Sequence, residues 1–159
     1  MNRQRLNRQQ GFSLIELLIV VAIIGIIASL AIPNLLAARR ASNEATAISG
    51  IRTLSSVEEA YRSTYGSGVR FADLTELASR QMIDTSFASA TTVAAAKNGY
   101  VYSLLVPADA AAFCAGAAPS TSNTGTRNFS SDTPGVIYVH PLDVANPPTS
   151  TSGGTPMTN

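Results

Sequence analysis

From Leu17 to Ala28 the chain carries no polar side chain, and between Phe12 and Ile32 only Ser13, Glu16 and Ser29 interrupt the apolar run. At a helical rise of 1.5 Å per residue those 21 residues span about 30 Å, the thickness of a hydrocarbon core. After Pro33 the pattern changes. Ile48, Ile51, Leu54, Val57, Tyr61 and Tyr65 recur at spacings of three and four, which predicts an amphipathic helix. Gly66 and Gly68 follow as stop signals. One helix from Phe12 to Tyr65 would be about 80 Å long if straight. Its second half must therefore pack on a soluble domain, with the stripe ending at Tyr61 and Tyr65 in the core. Pro33 has no N–H to donate and crowds the preceding turn, so a kink is expected there. With Gly25 upstream, residues 25–33 are the weakest part of the helix.

Downstream the elements are short. Asp73, with Glu76 three residues on, has the form of a capping box before Leu74, Leu77 and Ala78. Asn98–Gly99 signals a tight turn ahead of a strand at 100–106, where aromatic and branched residues dominate. A weaker strand is expected at 111–118 and a good one at 135–140. Three successive short strands predict an antiparallel meander covering the long helix, an α+β fold. Residues 119–135 and 146–159, rich in Ser, Thr, Pro and Gly, predict solvated loop and tail, because such composition buries little apolar surface. Asn128–Phe129–Ser130 has only the form of a glycosylation sequon.

Charge adds direction. Arg3, Arg5 and Arg8 precede the apolar run and Arg39–Arg40 follow it, which by the positive-inside rule places the N-terminus in the cytoplasm and the bulk of the chain outside. Arg39 and Arg40 read as stop-transfer charges or as partners for acids such as Glu44. Without the basic tip, eight basic and ten acidic side chains remain, so no patch predicts a nucleic-acid partner. Cys114 and His140 are each the only residue of their type. That excludes an intrachain disulfide and a thiolate cluster; Cys114 reads as a small buried residue and His140 as a strand end. The acids Asp73, Glu76, Asp84, Asp109, Asp132 and Asp143 lack metal-ligand spacing, and no catalytic set, metal site or cofactor site is expected. A cleaved secretory signal or a plain anchor would also account for an apolar run. Neither explains Glu16, since an ionisable group in a membrane segment is expensive and usually has a partner.

The stretch "GFSLIELLIVVAIIGIIASLAIP" resembles the N-terminal signature of type IV pilins and of the related type II secretion pseudopilins, with Gly11, Phe12, Glu16, Gly25 and Pro33 in register. The resemblance covers roughly the first 65 residues. It implies a cleaved basic leader (1–11) whose short length resembles the type IVa branch, a transmembrane and assembly helix (12–38), an amphipathic half (39–65), a globular head (66–145) and a tail (146–159). It further implies that a prepilin peptidase cuts after Gly11 and methylates the new amino group of Phe12. The product would keep its anchor in the inner membrane, then leave it for an extracellular pilus. Implied partners are other copies in a helical homopolymer, membrane lipid before assembly, and an inner-membrane assembly platform with its ATPase. Adhesion, twitching motility and DNA uptake are the implied roles; a periplasmic secretion pseudopilus and a minor, DNA-binding competence pilin are the rivals. Glu16 is expected to pair with the free Phe12 amine of its own chain or of a neighbour, and the 25–33 stretch to lose helical order in the filament.

Overall fold

The computed structural model describes residues 11–133 and 135–157; Arg3, Arg5, Arg8 and the rest of the expected leader before Gly11 lie outside them. The chain divides between Ala37 and Ala38 into two compact units. Helix α1, Leu14–Thr64, runs through that division and is helical across Gly25 and Pro33. It stops one residue before the expected end, where Tyr65 and Gly66 N–H both donate to Tyr61 O and Gly68 N–H donates to Arg62 O, satisfying the last-turn carbonyls.

The larger unit is the head. After α1 come two short helices, α2 (Leu74–Ser79) and α3 (Thr85–Ala88), and a 3₁₀ turn at Val93–Ala95. Five strands then form one antiparallel sheet in sequence order: β1 Tyr100–Leu105, β2 Cys114–Pro119, β3 Asn128–Asp132, β4 Ile137–His140 and β5 Thr155–Pro156. The α+β class and the predicted helix over sheet are therefore what the chain adopts. Asp73 caps α2 by accepting from Glu76 N–H at 2.7 Å. Asn98 and Gly99 both take positive φ (51° and 75°), with Lys97 and Tyr100 exchanging backbone hydrogen bonds of 2.9 and 3.0 Å. That is the type I′ geometry the Asn-Gly pair favours.

Two expectations are corrected. The sheet has five strands, not three, and β3 lies inside the stretch read as loop. Phe129, Ser130 and Ser131 are fully buried there, because one aromatic supplies the apolar contact and backbone pairing to β2 and β4 satisfies the rest. The C-terminal stretch is likewise laid on the sheet. Ala145 N–H donates to Pro119 O, Met157 N–H to Ile137 O and Ser103 Oγ to Pro148 O. Hydrogen bonding, rather than apolar burial, orders it. A Cβ on Gly116 would meet Pro148 O at 2.1 Å, so only glycine lets that loop lie so close to β2.

The second correction concerns the stripe on α1. Its buried positions are Glu44, Ala47, Ile51, Leu54, Glu58 and Tyr61, alternating three and four apart, with Gly50 beside them. Ile48 and Val57 flank this line and are partly buried, while Tyr65 is 51% exposed under the guanidinium of Arg80. The apolar core is built by Ala47, Ile51 and Leu54 against Phe71, Tyr100, Tyr102, Ala117 and Phe129.

Candidate functional site

The helix of the smaller unit presents its apolar side chains outward. From Leu14 to Leu35 every large hydrophobic residue is exposed, and the membrane-length apolar window has no part buried within the chain. Among the described residues one helix is thus long and apolar enough to cross a membrane, and its surface requires lipid or other apolar helices to cover it.

At its start sits Glu16. Ser13 occupies the N-cap position before Leu14. Its backbone N–H donates to Glu16 Oε2 at 2.9 Å, the return half of a capping box. Glu16 therefore has a partner inside its own chain, a role that the Ser-x-x-Glu spacing signals and that sequence reasoning passed over. The negative carboxylate also favours the positive end of the helix. A carboxylate accepts more than one hydrogen bond, so the cap leaves capacity for a cation. Gly11 and Phe12 precede the helix in non-helical, exposed backbone, and Phe12 is 82% exposed. Further along, Pro33 deprives the carbonyl of Ser29 of its helical donor, and Ser29 Oγ donates to Ile26 O at 2.7 Å.

In the head, the acids on the buried line of α1 are bonded in contrasting ways. Glu44 Oε1 accepts from Thr126 N–H (2.8 Å) and Thr126 Oγ1 (2.6 Å). Its Oε2 accepts from Arg127 Nε (3.1 Å) and Nη2 (2.7 Å). Burial pushes this carboxyl up, but the bonds from Thr126 and Arg127 outweigh it and hold it below the usual range. Neighbouring contacts extend the clamp: Arg40 Nη2 donates to Asn123 Oδ1 (3.2 Å) and Asn43 Nδ2 to Thr124 O (2.9 Å). The β2–β3 loop is thereby tied to α1, and Glu44 is taken by Arg127 rather than by Arg40. Glu44→Ala is expected to lower head stability by about 2–3 kcal/mol, the scale of a hydrogen-bonded charge left without its partner. Because the folded carboxyl is depressed, this contribution is present above the ordinary carboxylate range and is lost as pH falls through the folded value. Thermal melts should show the gap between wild type and variant closing as the pH falls below the ordinary carboxylate range.

Glu76 anchors a second cluster. Its carboxylate accepts from Tyr61 OH (2.7 Å), Arg80 Nη2 (3.1 Å) and Arg70 Nη2 (3.4 Å), with the tyrosine contributing most to holding it low. Cys114 is buried and free, and burial pushes its thiol up to about 11. His140 ends β4 with Nε2 at 2.7 Å from Ser130 Oγ, and burial lowers its pKa. Asn128 is buried, with Nδ2 donating to Asp143 O and Asn146 O, so its sequon is closed to modification in the folded head.

With this geometry in hand, comparison with known proteins is specific. Residues 6–32 match the family model described as the prokaryotic N-terminal methylation motif. The type II secretion system core protein G of Pectobacterium carotovorum subsp. carotovorum is 38% identical over 55 residues, 35% of each chain. The type IV wide pilus major component PilA4 of Thermus thermophilus is 47% identical over 53 residues, 33% of this chain and 40% of that one. The type IV major pilin protein PilA of Myxococcus xanthus is 43% identical over 54 residues, 34% of this chain and 24% of its own. No solved structure matches. The chain thus carries the N-terminal methylation motif and, over about a third of its length, is similar to type IV pilins and to type II secretion system core protein G. The aligned stretch is well under half the length of these relatives, and the head lies mostly outside it.

Proposed function

We propose that the chain is a type IV pilin precursor whose mature form polymerises into a bacterial surface filament. One observation carries the reading: a membrane-length helix buries none of its apolar window within its own chain, yet is continuous with a folded head. The same side chains that hold the monomer in lipid would pack against one another at the centre of a fibre. Leader removal before Phe12, rather than after the apolar run, would leave that anchor on the product. The peptidase would also methylate Phe12. Glu16 would keep its cap bond from Ser13 and accept a neighbour's Phe12 amine, fixing the axial register of each incoming subunit. The boundaries expected from the sequence, leader to Gly11 and head outside the cytoplasmic membrane, belong to this reading. So do an assembly platform, its ATPase, and the roles in adhesion and twitching motility.

Helical order at Gly25 and Pro33 in the single chain makes any extension of 25–33 an event of assembly, which a filament reconstruction would reveal. The second reading, a subunit of a short periplasmic secretion filament, is supported by the similarity to core protein G. Deletion of the gene separates the two. Loss of long surface fibres under electron microscopy with intact protein secretion supports the pilin; retained fibres with failed secretion support the pseudopilin.

A further inference from the structure

Glu58 stands apart from the other acids of the head. It is wholly buried on α1, between Leu54 and Tyr61 on the covered line. Oε2 accepts one bond, from Ala72 N–H at 3.1 Å. Oε1 is buried without a partner. The cluster beside it is apolar: Ala72 and Leu77 with Val57, Met82, Ile83 and Leu104. The charged groups that bear on it from the facing segment are Asp73 and Glu76, both of like sign. The nearby cations are committed elsewhere, Arg70 and Arg80 to Glu76 and Arg62 of α1 to Glu59. Glu44 shows what a stabilised carboxylate in this head looks like: Glu58 has one neutral donor where Glu44 has Thr126 and a bidentate arginine.

We propose that Glu58 is a proton-controlled latch, neutral when residues 66–80 lie closed on α1 and charged when that segment lifts away. The closed state offers the anion one N–H and two like charges, whereas water solvates it fully once Ala72 and α2 move off. Burial first, then Asp73 and Glu76, push the carboxyl up to about 7 against an ordinary 4.5. The sign follows from linkage: the closed state binds the extra proton between those values, so rising pH favours opening and the effect levels off above pH 7. On the topology proposed above, the head would meet the pH of the medium; the titration itself does not depend on that topology.

The test uses the full chain in detergent micelles, by NMR. With closed and open values near 7 and 4.5, the open population should rise about 70-fold from pH 5 to pH 8. Ala72 N–H exchange, corrected for intrinsic base catalysis, should show that rise. Tyr102 N–H, held by Ala90 O, should not. In Glu58→Gln the dependence of Ala72 should vanish. The Glu58 side-chain carboxyl carbon, followed in the wild type, needs no variant and should titrate near 7. A carboxyl titrating near 4.5, the same pH dependence in Glu58→Gln, or an equal rise at Tyr102 would each overturn the latch.

Discussion

In the pilin proposed above, replacing Glu16 by Ala is expected to leave the leader cleavable and to abolish filaments. The junction at Gly11–Phe12 is exposed backbone ahead of the helix, so a change five residues beyond the cut leaves peptidase access intact. Assembly is different. A hydrogen bond to a charged group is worth about 1.5–3 kcal/mol, which corresponds to roughly 10- to 150-fold in each subunit's association. Repeated at every step of a polymer, that is loss of fibres. Alanine also removes the capping bond from Ser13, so the charge and the cap must be separated. Glu16→Gln does this, since glutamine serves at the third position of a capping box but brings no charge. Both variants should be processed to the mature size on gels and both should lack fibres by electron microscopy. Normal fibres from Glu16→Gln would sink the pairing role and leave Glu16 as a cap.

The largest stability effect is expected in β3. Phe129 is fully buried, faces Ala117 on β2 and Val139 on β4, and stacks at 6.1 Å from the ring of Tyr100. Phe129→Ala should cost about 3–5 kcal/mol through lost transfer energy and the cavity left behind. For a head of this size that lowers the thermal midpoint by roughly 10–20 °C. Ser122→Ala, exposed in the preceding loop, should change stability by less than about 0.5 kcal/mol. Had residues 119–135 been a solvated loop, the two substitutions would behave alike. Circular dichroism melts of both variants decide it.

The acids of α1 show why some positions were legible and others were not. Glu16 is conspicuous because nothing charged surrounds it between Arg8 and Arg39. Nothing in the sequence marks Glu44 or Glu58 for burial, since a carboxylate is seldom fully buried. Whether one is buried depends on what the rest of the chain brings to it. Arg127 is 83 residues from Glu44 and Ala72 is 14 from Glu58. No periodicity on the helix contains either fact. Tyr65 fails in the reverse sense: it continues the apolar spacing, but the head ends beneath it and Arg80 covers its ring instead.

By itself the sequence determined the membrane-length helix, the N-terminal methylation motif, the caps and turns at Asp73 and Asn98–Gly99, and the α+β class. Each rests on local physics: apolar length, side-chain-to-backbone bonds and the φ preferences of neighbouring residues. Tertiary structure alone decided that β3 and the C-terminal stretch join the sheet. Their order comes from backbone hydrogen bonds to partners distant in sequence, which composition does not encode. It also decided the opposite fates of two buried glutamates on one helix face. Glu44 meets a guanidinium and is stabilised as an anion, while Glu58 meets one amide and two acids and is driven toward its neutral form.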